Sequence, residues 1–253
     1  MKIGIRAALA SCLALTCAMA CADVPEERLR DLECLCACIP NDDLDANIPD
    51  PTPESVKAKY NISNSDIVDG LVEIVARLGV GTTNQDVRET RETAVYWIGR
   101  YGTSNDVGRL SAVVTNAYDH AQRTAVVACM TMLKASPGLI GFIRNVSTNE
   151  AAYSASAKEG MYIHLRGMMV EVGSDCYVTD ETQRARVASF FLERAAVEQT
   201  NTLFVDRCAW TLNPWYRHSQ QRRDNLAALR PPGLTGKPAE LYDAAQRDAA
   251  QEE

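Results

Sequence analysis

RETAVYWIGRYGTSNDVGRL, residues 91–110, is the stretch on which the fold turns. Within it, Ala94-Val95-Tyr96-Trp97-Ile98 returns in outline as Ala125-Val126-Val127-Ala128-Cys129, 31 residues later and with a threonine ahead of the alanine both times. A weaker third copy begins at Ala157, after Ser156, another 32 residues on. Between copies the pattern predicts short helices, Asn105 to Ala117 and Gly138 to Val146. Turn signals introduce them, Gly102-Thr103-Ser104-Asn105-Asp106 for the first and Ser136-Pro137-Gly138 for the second. A period of this size with two helices per unit marks an α-solenoid. The recurring alanine has a physical reason: stacked helices need a small side chain where their backbones cross. Larger residues one turn on, Ile98 and Cys129, then fill the space between layers.

The flanking sequence is helical too. Ile67, Leu71, Ile74, Val75 and Leu78 follow the polar Asn64-Ser65-Asp66 at helical spacing and stop before Gly79. Strict alternation of the strand type is almost absent, so the expected class is all-α. Residues 91–99 also resemble the HEAT repeats, including those of phycobilin-lyase-like proteins, whose second helix reads roughly R-x-x-A-x-x-x-L-G. Arg91, Ala94, Ile98 and Gly99 stand in those places, followed by Tyr101-Gly102. The resemblance is good over residues 86–135 and fair to about 172. It implies a HEAT-like solenoid of about four irregular helix pairs over residues 55–230 and carries no catalytic residue with it. After Gly173 the regularity falters. Ala188 lies 31 residues beyond Ala157, but the next repeat-like segment is placed at Asp206 to Leu212 instead.

The ends of the chain set its address. A cationic start (Lys2, Arg6), a short apolar run to Ala20 and small residues through Ala22 predict a secretory signal peptide over residues 1–22. The apolar run falls short of the roughly 20 residues that a membrane-spanning helix needs. Ala18-Met19-Ala20-Cys21 also matches a lipobox loosely, leaving lipidation of Cys21 open beside simple cleavage. The expectation is an exported bacterial protein of the periplasm or envelope, touching the membrane only through such an anchor. Residues 23–39 predict a short helix with Leu29, Leu32, Leu35, Cys36 and Ile39 on one face. Residues 40–54, with four prolines and the acids Asp42, Asp43, Asp45 and Asp50, predict a linker, and residues 231–253 a polar tail.

Loss of the leader leaves 24 basic and 33 acidic residues, a net charge of −9. That balance argues against nucleic acid as a partner, since phosphate binding needs a cationic footprint. Six cysteines remain: Cys34, Cys36, Cys38, Cys129, Cys176 and Cys208. Cys34 and Cys38 share a helix face and Cys36 points away, too few converging thiolates for zinc, which usually takes four ligands. Disulfide pairing, with Cys176 as one candidate partner for the N-terminal cluster, is the preferred reading. Cys129 and Cys208 fall at core positions. His120, His164 and His218 are too far apart in sequence to form a helical metal dyad. The aromatic and basic run Trp210, Trp215, Tyr216, Arg217, His218, Arg222 and Arg223 reads as the capped end of the array.

These features predict a scaffold that binds another macromolecule, a protein, along the face formed by the second helices. No metal, cofactor or catalytic group is expected. The candidate contact residues are Arg88, Arg91, Tyr96, Arg100 and Arg123. The alternatives are an anchored envelope lipoprotein and a cofactor-handling enzyme of the lyase type.

Overall fold

A computed structural model describes residues 24–37, 52–79, 81–114, 118–174 and 176–197, with residues 233, 235, 236, 239, 240 and 243. The described residues form nine helices and no strand, and helices pack directly on helices. None of these helices is long and apolar enough to cross a membrane. The chain divides into two compact units, Met1–Tyr101 and Gly102–Glu253. The boundary falls at the turn signal of residues 102–106, inside the stretch expected to be one continuous array.

The first unit holds α1 (Glu26–Ala37), α2 (Pro53–Tyr60), α3 (Asn64–Leu78) and α4 (Gln85–Tyr101). Two capping boxes fix helix starts. Thr52 accepts from Ser55 N at 3.1 Å while its own N–H donates to Ser55 Oγ at 2.8 Å, and Pro53 supplies a preset φ at the first turn. The helix therefore begins inside the stretch expected to be linker. Ser63, one residue ahead of the expected cap, pairs with Asp66 in the same way. Asn61 ends α2 in the left-handed region at φ 50°.

The apolar faces then close on one another. Leu29, Leu32, Leu35 and Cys36 of α1 are buried with Ile67, Leu71, Ile74 and Val75 of α3 and Ala94, Val95 and Ile98 of α4. Each large apolar side chain contributes about 1.5–3 kcal/mol when fully buried. The N-terminal helix, expected to stand apart from the repeat region, instead packs against α2, α3 and α4. Gly70 permits this: a Cβ there would stand 2.3 Å from Leu32 Cδ1. Gly70→Ala is expected to lower stability by about 1–2 kcal/mol, because overpacking outweighs alanine's helix preference of about 1 kcal/mol. Thermal melts check it, and the penalty should shrink when Leu32→Ala removes the obstructing methyl.

The second unit holds α5 (Val107–Val113), α6 (Gln122–Leu133), α7 (Gly138–Thr148), α8 (Ala155–Val170) and α9 (Glu181–Val197). Sequential neighbours pack from α5 through α8, α6 also lies against α8, and α7 against α9. Its core joins Met130, Leu139, Ile143, Met161, Leu165, Met168, Phe190 and Phe191, among others. Polar contacts set the register of the α6–α8 seam. Buried Gln122 donates from Nε2 to Ala152 O at 2.6 Å and accepts from Ser154 N at 2.9 Å through Oε1. Further along, Thr131 Oγ1 meets His164 Nε2 at 3.0 Å. These partners are 30, 32 and 33 residues apart in sequence, so across this seam the repeat period is also a spatial register. Ala125 and Ala157, the repeating alanines, are both buried.

Candidate binding surface

Arg88, Tyr96 and Arg100 lie along α4 at intervals of two turns and one turn, with Glu92 between the first two. All three are exposed, Tyr96 to 39%. Arg100 donates from Nη1 to Tyr96 OH at 3.2 Å, and its guanidinium carbon lies 5.9 Å from the Tyr96 ring centroid. The Tyr96 ring meets Trp97 edge-on at 5.2 Å, and Trp97 lies 5.9 Å from Tyr101. Tyr101 OH donates to Glu54 Oε1 at 2.8 Å, and Lys57 Nζ lies 5.8 Å from the Tyr101 ring centroid. Burial pushes the Tyr101 phenol well above its ordinary range, followed by the effect of Glu54. The cluster is thus a partly exposed aromatic row holding cations on its faces. Trp97 Nε1 is buried in it with no hydrogen-bond partner.

Arg91 corrects the sequence reading. Expected on the exposed face, it is fully buried, and its Nε donates to Val75 O at 3.1 Å. Val75 belongs to the last turn of α3, where carbonyls lack an intrahelical donor and a cation opposes the negative end of the helix dipole. Arg91 is therefore a cap delivered from α4 to the end of α3, not a partner contact. The signal was present: 91, 94, 95 and 98 are spaced i, i+3, i+4 and i+7, the buried stripe itself.

Arg123, on α6 of the second unit, is exposed. Its stem crosses α8 at Gly160, where a Cβ would stand 2.7 Å from Arg123 Cγ.

Cys34, Cys129 and Cys176 are free thiols. Cys34 is exposed and Cys36 buried, so the two diverge across α1 as their spacing predicted. Cys176 is half-buried with Sγ 3.3 Å from Ser174 Oγ. Cys129 is buried, and desolvation pushes its thiol up to about 12, which keeps it protonated and a poor nucleophile. It lines a cavity of about 80 Å³ with Ser111, Gln122, Phe142 and Tyr153, a feature no sequence pattern announced. His120, expected at a cap or the surface, has its Nε2 buried without a partner. Among the described residues no group of three or more His, Cys, Asp or Glu is placed to hold a metal ion. Cys21, Cys38, Cys208, the acids of the linker and the aromatic-basic run from Trp210 to Arg223 lie outside the described residues.

No protein-family model, curated protein or solved structure matches the chain.

Proposed function

We propose that this chain is an exported helical-repeat scaffold that acts by binding another protein rather than by catalysis. The observation that carries the reading is the α6–α8 seam, where residues 30 to 33 apart face one another across parallel, stacked helices. Packing of α7 on α9 adds a second layer of the kind a HEAT-like solenoid builds. Such layers hold helix faces toward solvent. Arg88, Tyr96 and Arg100 in the first unit and, separately, Arg123 in the second are exposed residues of the types enriched at binding hot spots.

Native mass spectrometry of the protein drawn from its own envelope fraction tests this. A mass beginning near Asp23 with one protein bound supports the scaffold, and Arg88→Glu combined with Arg100→Glu should release that protein. Recovery of the chain alone, or with a bound cofactor, would count against it.

A further inference from the structure

The second unit carries an exposed cation, Arg123, whose stem lies against α8. Among the described residues no ion pair or hydrogen bond is formed with the exposed Arg123, although the chain as a whole has a net charge of −7. Gly160 leaves room for its stem across α8, and any side chain there would displace it. Val127 and Thr131 follow Arg123 on the same face of α6, both half-buried. On α8, Ile163 is 44% exposed, three residues past Gly160, with Glu159 and Arg166 flanking it. The bond between Thr131 and His164 closes the far end of this strip.

We propose that this strip docks a segment of another protein, which supplies a carboxylate to Arg123 and an apolar side chain to Ile163. A guanidinium held by its stem loses little freedom on pairing and matches the two oxygens of a carboxylate. The aliphatic surface beside it excludes water from that pair. This inference rests on the scaffold reading and names the chemistry of its partner.

A photoreactive benzoylphenylalanine in place of Ile163, in the full chain within its native cell, tests it. Irradiation should give one protein adduct whose cross-linked peptide contains Asp or Glu. In Arg123→Met, which keeps the stem over Gly160 but removes the charge, the yield should fall about tenfold, as loss of a charge-assisted contact implies. Arg30→Met, on exposed α1 surface, should leave it unchanged, and matching melting temperatures show that the variants are folded. A yield indifferent to Arg123→Met overturns the carboxylate contact and leaves the scaffold standing. An adduct from Tyr96 but none from Ile163 overturns the strip. Silence at both positions removes the strip and the scaffold reading together.

Discussion

Arg91→Ala is expected to cost about 3–5 kcal/mol, because it opens a large cavity and leaves a buried carbonyl without its donor. The side chain is fully enclosed, and its Nε supplies Val75 O, one of the carbonyls that α3 cannot satisfy by itself. Arg91→Met separates the two contributions. It keeps most of the volume and loses the donor and the charge, for an expected loss of about 1–3 kcal/mol. Lysine is a poor substitute, since the donating Nε–H sits inside a rigid planar fork that an ammonium lacks. Hydrogen exchange read peptide by peptide is the suitable measurement, because a chain of two units need not unfold in one step. Amides in the last turn of α3 should lose protection first. Unchanged protection in Arg91→Met would mean that the guanidinium does not support that helix end.

The second large effect is one of pH. Thr131 Oγ1 lies 3.0 Å from Val127 O and 3.0 Å from His164 Nε2. A carbonyl can only accept, so the hydroxyl proton goes to Val127 and His164 donates from Nε2 to Thr131. Burial lowers the pKa of the imidazole from 6.5 to about 4, so near pH 7 the ring is neutral and carries its one proton on Nε2. Between those values the unfolded chain binds the proton that the folded chain refuses. The contribution of neutral His164 is complete above about pH 6.5 and is lost as pH falls toward 4. Part exposure of the ring reduces the effect to about 2 kcal/mol. Urea unfolding at pH 7 and pH 4.5 should show that loss. His164→Gln, which retains a donor toward Thr131 but has no proton to gain, should flatten the difference. An equal pH dependence in the variant would assign the acid sensitivity to the carboxylates instead.

Much of the helical pattern was legible because burial follows periodicity. The face Leu29, Leu32, Leu35 and Cys36 is buried as spaced, as are Ile67, Leu71, Ile74 and Val75. Arg91 lies inside although a charged side chain points outward by type, because its spacing from Ala94 and Ile98 puts it on the buried stripe. Ser63 and Thr52 start helices that the apolar pattern alone places later, since a capping box satisfies backbone donors outside the periodic stretch. The division after Tyr101 was not legible. The repeat runs from Ala94 to Ala125 without a break in period, and compactness depends on long-range packing such as α1 on α4. The exposure of Tyr96, Arg100 and Arg123 was legible in the sequence. The cradle at Gly160 was not, because it arises where two helices cross rather than within either.

The 30- to 33-residue separation across the α6–α8 seam also bears on how the second unit is made. The entropy lost in closing a loop grows only with the logarithm of its length, so a short loop closes early and quickly. Once Ser154 has emerged from a ribosome or a translocation pore, Gln122 already has both of its backbone partners. Assembly can then advance in the order of emergence, each new helix settling on a seam already formed, without waiting for the C-terminal end.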